Sequence, residues 1–166
     1  MAQDMMRNDH IVAESTNILS THFGGGHIYS IAIEEDMDNG LLVARGEEYE
    51  DEVWGAKEYA AGDEALLLLN PPVMSIVSAK SYTTEDRFYN EAGDRVRAYA
   101  LNIGDRITLS ENAFETAPAA KQYVTYDAAD KKYVVGAKAT DKFCAQVLGK
   151  VARGNMVMYK IQVVSL

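Results

Sequence analysis

Histidine is the side chain best suited to proton transfer or metal binding near neutral pH, and this sequence has three: His10, His22 and His27. A general base needs a rigid, oriented position. These three fall in a stretch of mixed polarity that runs into Gly24-Gly25-Gly26. His22 and His27 flank the glycines and could hold a metal, but no cysteine or carboxylate stands at ligand spacing among the three. Solvated histidines are the expectation. The single cysteine, Cys144, lies in an apolar stretch between Phe143 and Ala145. It permits no intramolecular disulfide and no C-x-x-C metal pattern, and a buried, inert thiol is expected.

The carboxylates give a second candidate. Glu34, Glu35, Asp36 and Asp38 cluster beside Gly40 and suggest a calcium loop. Counted from Glu34, however, the sixth position is Asn39 rather than Gly and the twelfth is Arg45 rather than Glu, so the EF-hand pattern fails. A solvated turn is expected. Adjacent carboxylates such as Glu85 and Asp86 arise by chance in a chain with 25 acidic residues. The triple glycine lacks the frame of a phosphate loop, and Ser15, Ser20 and Ser81 lack a G-x-S-x-G frame. The sequence therefore predicts no catalytic set, no metal site and no cofactor. Aromatics with acidic neighbours can line a sugar site or a protein interface. Trp54, Tyr49 and Tyr59 are the surface candidates of that kind, and strand packing accounts for most of the other tyrosines.

The elements that must carry these residues are strands. Residues 27–33 are rich in β-branched and aromatic side chains, with Tyr29, Ile31 and Ile33 on one face. Asn39-Gly40 is a tight-turn signal before the run 41–46, so the two runs read as a hairpin or near-hairpin. Residues 46–62 are acidic and aromatic and read as a loop with an exposed acidic edge, able to hold a short helix or one more strand. Pro71-Pro72 separates the apolar runs 65–69 and 73–78. Residues 82–94 are polar, with a helix-like middle and a glycine stop at Gly93. Residues 96–101 and 106–110 read as a strand pair across the turn 102–105. A single helical turn follows, with Ser110 as its N-cap. Two further hairpins are expected, around residues 128–130 and around residues 153–155.

Short strands with frequent turns predict a mainly β protein, a small β-barrel or β-sandwich over residues 26–166. Residues 1–25 read as an extended N-terminal arm, because three glycines make a flexible joint. The alternative reading of that stretch is a first edge strand at residues 11–13.

Composition narrows the partners. Of 166 residues 48% are hydrophobic, enough for a core. The longest candidate apolar run, residues 65–69, falls far short of the roughly 20 residues of a membrane span. The first residues lack the basic and apolar pattern of a secretory signal, so synthesis in a cytoplasm is expected. A formal charge of −9 argues against nucleic acid and against an anionic membrane surface, and it suits a basic patch on another protein.

One segment carries a family resemblance. Within residues 88–114 stand Phe88, the turn Asn90-Glu91-Ala92-Gly93, Arg97-Ala98-Tyr99, Leu101, Gly104-Asp105, Leu109-Ser110 and Ala113. This resembles small head proteins of tailed bacteriophages, the capsid decoration or head-associated proteins. The pattern N-G-L-L-V-x-x-G-E at residues 39–47 is similar to their opening hairpin. These residues make sense as scaffold, since they serve turns and close sheet packing. The resemblance implies a non-enzymatic, β-rich structural protein on the capsid exterior of a virion, made in the host bacterial cytoplasm. Its partner would be the major capsid protein, with self-association on the lattice. The expected capsid contacts are Ile11, Val12, Ile18 and Leu19 from the arm, and Glu47, Glu48, Glu50, Asp51, Glu52 and Trp54 from the acidic stretch; the resemblance leaves the arm and residues 49–64 unmatched. A carbohydrate- or receptor-binding β module using Trp54 is the alternative.

Overall fold

The computed structural model describes residues 9–72 and 85–166. Those residues are mainly β, as the alternating sequence predicts. The strands are β1 (Ala13–Asn17), β2 (Ile28–Ala32), β3 (Leu42–Glu50), β4 (Val53–Glu58), β5 (Leu66–Leu68), β6 (Arg95–Ala100), β7 (Arg106–Ser110), β8 (Tyr123–Asp127), β9 (Lys132–Gly136), β10 (Cys144–Arg153) and β11 (Met156–Ser165). Short 3-10 turns occupy Leu19–Thr21, Glu85–Arg87 and Glu111–Ala113.

Five strands close into a barrel in the order β2-β4-β3-β5-β6, with β6 returning to β2. The β2–β4 pair is parallel and the rest are antiparallel. The other six form an antiparallel sheet in the order β1-β7-β11-β10-β8-β9. One cluster of buried side chains runs through both layers. It joins Ile31, Leu66 and Val96 of the barrel to Ile107, Val124 and Ile161 of the sheet. Strand β11 shows why the sheet has one wet face: Tyr159, Ile161 and Val163 are buried, while Lys160, Gln162 and Val164 between them are half-buried.

The hairpins β8–β9 and β10–β11 form where the turn residues predict them. Two other expected pairs do not. Strands β2 and β3 are not partners, because β2 lies between β4 and β6 and β3 lies between β4 and β5. Strands β6 and β7 are not partners either. The turn between them carries the chain from the barrel to the sheet, and β7 pairs with β1 and β11. Turn chemistry fixes where a strand stops, whereas partner choice depends on which buried faces meet. The acidic stretch 46–62 holds the end of β3 and all of β4, which form a hairpin with two register shifts. The 3-10 turn after Ser110 is present, but Ser110 makes no side-chain cap. Its hydroxyl accepts the Val12 amide instead, at 2.9 Å. The apolar run 73–78 and the start of the polar stretch 82–94 lie outside the described residues.

The N-terminal stretch departs from a free arm. Residues 1–8 lie outside the described residues, but from Ile11 onward the chain is built into the domain. β1 is an edge strand paired with β7, beginning two residues later than the edge strand expected at residues 11–13. Ile11 and Ile18 belong to the main core, and Val12 packs with Met156 and Met158. The triple glycine is a packed turn rather than a loose joint. A Cβ on Gly25 would fall 2.0 Å from the Leu19 carbonyl oxygen. Only a residue without a side chain fits there.

Barrel and sheet are fastened at Asn39-Gly40. Gly40 has φ +86°, and a Cβ there would meet Leu109 Cδ2 at 2.7 Å and Ala13 Cβ at 3.0 Å. Its carbonyl accepts the buried Tyr133 hydroxyl at 2.7 Å, and its amide donates to Leu68 O at 2.7 Å. Tyr133→Phe should therefore lower stability by about 1–3 kcal/mol, the cost of one buried unsatisfied group. Gly40→Ala should cost about 3 kcal/mol or more, because overpacking and a left-handed backbone add. Urea denaturation followed by tyrosine fluorescence would rank the two variants against the parent.

Candidate functional site

The three histidines are held apart, each by local partners. His10 Nδ1 lies 2.7 Å from Asp38 Oδ1, and its ring stacks on Tyr89. His22 Nε2 lies 3.0 Å from Asn17 Oδ1, and His27 stacks on Tyr29. Among the described residues no three His, Cys, Asp or Glu side chains gather as a metal site. Cys144 is buried. In the acidic cluster the carboxylates point to separate tasks. Asp38 also accepts the Ile11 amide, Asp36 accepts the Ala92 amide, and Glu35 pairs with Lys131 at 2.7 Å.

The expected contact residues divide into two groups. Ile11, Val12 and Ile18 are 4%, 5% and 0% exposed, so these three are core residues and cannot face a partner. This corrects their reading as arm contacts, because β1 buries the apolar side chains around it. Leu19 is exposed. Glu47, Glu48, Glu50, Asp51 and Glu52 are all exposed on the β3–β4 hairpin, with Glu50 paired to Arg95. The hairpin tip is fixed rather than loose. Glu52 takes φ +59°, and its amide donates to Glu48 Oε1 at 3.2 Å.

Trp54 is half-buried, and its own chain covers it. Tyr29 meets it edge-on at 5.3 Å, and the Arg45 guanidinium lies over both rings, 4.9 Å from Tyr29 and 5.5 Å from Trp54. A cation on two aromatic faces is favourable here, and it occupies ring surface that a sugar would need. Burial raises the Tyr29 hydroxyl above its ordinary pKa; the Glu64 carboxylate, which accepts its hydrogen bond, also raises it, while Arg45 lowers it. Tyr59 is a core residue, contrary to its reading as a surface candidate. It is buried, its hydroxyl accepts the Phe143 amide at 2.8 Å, and its ring meets Tyr126.

An apolar cap emerges that strand periodicity does not reveal. Leu19, Phe23, Ile28 and Ile103 are large, apolar and exposed, with Phe23 fully so. Three of them lie on residues 18–28 and the fourth in the turn 102–105. Hydrogen bonds hold the two segments together. The Leu19 amide donates to Asp105 Oδ1 at 2.9 Å, the Ser20 hydroxyl donates to Ala100 O, and the Ala100 amide donates to His27 O at 3.0 Å. Strand register sets Ile28 opposite Tyr99. β2 and β4 run parallel with Ser30 opposite Val53. Ile28 opens β2 and the acidic hairpin tip precedes β4, so the two lie at the same end of the barrel. The sequence signal of the cap was faint: Phe23 stands between a histidine and a glycine, and Ile103 sits inside a polar turn.

No known protein family matches the chain, and neither the curated proteins nor the solved structures provide a match.

The buried tyrosines give a pH test. Burial pushes the Tyr126 and Tyr133 hydroxyls well above their ordinary value of 10.0. The unfolded chain loses these protons first as pH rises, so it binds fewer protons than the folded chain. Stability is retained below about pH 10 and falls as pH climbs toward the folded-state values. Absorbance titration should therefore show some tyrosines ionising at their ordinary pKa and others only together with alkaline unfolding, monitored by circular dichroism.

Proposed function

We propose that this chain is a non-enzymatic structural protein that binds the outer surface of a tailed-bacteriophage capsid and stabilises it. The observation that carries the reading is the exposed apolar group of Leu19, Phe23, Ile28 and Ile103, with the β3–β4 carboxylates at the same end of the barrel. Exposed apolar side chains with charge nearby on a hydrogen-bonded β scaffold have the composition of a protein-docking face. The resemblance of residues 39–47 and 88–114 to head proteins supplies the partner class. The partner surface would be the major capsid protein, apolar at its centre and basic around it. Many copies on repeated sites would add avidity to a modest single contact. Synthesis in the host cytoplasm and a final place on the capsid exterior belong to the same proposal.

The alternative is a carbohydrate- or receptor-binding module. Arg45 seated over Trp54 and Tyr29 weighs against it, because the rings are already covered.

Undecorated heads, sedimented with the protein at low and high salt, test the proposal. Phe23→Ala should weaken binding by about thirtyfold or more, as loss of a central aromatic anchor costs about 2 kcal/mol or more. Replacing Glu50, Asp51 and Glu52 together by Gln should flatten the salt dependence and leave binding at high salt unchanged, because exposed charges are screened within about 8 Å at physiological ionic strength. If the parent protein binds at no salt concentration, the capsid assignment fails. If it binds and Phe23→Ala binds equally, the docking face lies elsewhere.

A further inference from the structure

Asn39-Gly40 is the one Asn-Gly pair in the chain. In an unfolded peptide this pair is chemically labile, because glycine offers no side chain to hinder attack by its amide nitrogen. The Gly40 amide gives up its proton to solvent base, its nitrogen bonds to Asn39 Cγ, and Asn39 Nδ2 leaves as ammonia. Water then opens the cyclic imide at either carbonyl, leaving an aspartyl or isoaspartyl group at position 39. Overall, one water is consumed and one ammonia is released.

The fold blocks every participant in that reaction. The nucleophile is engaged, since Gly40 N donates to Leu68 O at 2.7 Å. The leaving group is engaged, since Asn39 Nδ2 donates to Asn70 O at 2.8 Å. The amide oxygen accepts the Asn70 amide at 2.9 Å and Asn90 Nδ2 at 3.2 Å, which pins the side chain. Asn39 is only 3% exposed, so base and water are also excluded. Freeing the Gly40 amide means parting the start of β3 from the end of β5.

We infer that Asn39 is a deamidation site sealed by folding, and that its conversion in the unfolded chain makes unfolding irreversible. Both products damage the same corner. An aspartyl oxygen in place of Nδ2 would face the Asn70 carbonyl, acceptor against acceptor, with a charge in a buried place. An isoaspartyl linkage adds one atom to the main chain just before Gly40. Gly40 N and O could then no longer meet Leu68 O and the Tyr133 hydroxyl together.

The test uses the full-length chain, without substitution. Samples are held folded, or unfolded in urea, at mildly alkaline and at acidic pH, and the peptide containing Asn39 is followed by mass. At intervals the urea is diluted and the refolded fraction is read by circular dichroism. At alkaline pH the folded sample should convert at least about tenfold more slowly than the unfolded one, because conversion must wait for opening of the barrel. The unfolded alkaline sample should lose the ability to refold in step with conversion at Asn39. The unfolded acidic sample should neither convert nor lose refolding, because the attacking amide stays protonated. Equal conversion in folded and unfolded protein would overturn the seal. Full refolding of converted protein, or loss of refolding at acidic pH without conversion, would overturn the link to irreversibility.

Discussion

The junction of barrel and sheet rests on a corner where a backbone without a side chain passes between two layers. Gly40 leaves no room for a Cβ against Leu109 of β7 and Ala13 of β1, so the start of β3 can lie directly on the sheet. The close approach would strand a carbonyl in the core, and the Tyr133 hydroxyl satisfies it from β9. Around it the side chains of Asn39, Asn70 and Asn90 bond one another and the Asn70 backbone at the barrel end. A buried polar network of this kind stabilises only when each group is paired, and it admits one arrangement of the strands that meet there.

The aromatic side chains follow from the same junction. Tyr133 packs between Tyr126, Phe114 and Phe143, and Tyr59 joins through Tyr126. Rings of this size fill the space between a curved barrel and a twisted sheet, where aliphatic side chains would leave gaps. Their hydroxyls need partners, and Gly40 O and the Phe143 amide provide two. The tyrosines thus connect layers that no strand pairing connects. At the opposite extreme of exposure, Phe23 contributes nothing to that core. It sits on a turn whose backbone is packed around Gly25, with its ring open to a partner.

Charge is distributed in keeping with this division. The formal charge is −9, and several carboxylates bind backbone amides, such as Asp38 on Ile11 and Asp105 on Leu19. At the β3–β4 tip acidic residues run in series. The tip shares its end of the barrel with Ile28 at the start of β2.

The sequence by itself determined the mainly β class, the strands at 28–32, 95–100 and 106–110, and the hairpins at 128–130 and 153–155. These depend on local period and turn chemistry, which are written in neighbouring residues. It also marked the acidic residues 47–52 as exposed, since clustered charge cannot be buried. Tertiary structure decided the rest. Whether Ile11, Val12 and Ile18 formed an arm or a core depended on β7 offering a free edge a hundred residues away. Whether β2 would pair with β3 or β4 depended on closure of the barrel. The triple glycine read as a joint because composition cannot distinguish a glycine that is free from one that is crowded. The apolar cap was invisible for the same reason: Leu19, Phe23, Ile28 and Ile103 become a surface only when Asp105 and Ala100 draw two distant segments together, and long-range hydrogen bonds of that kind leave no period in the chain.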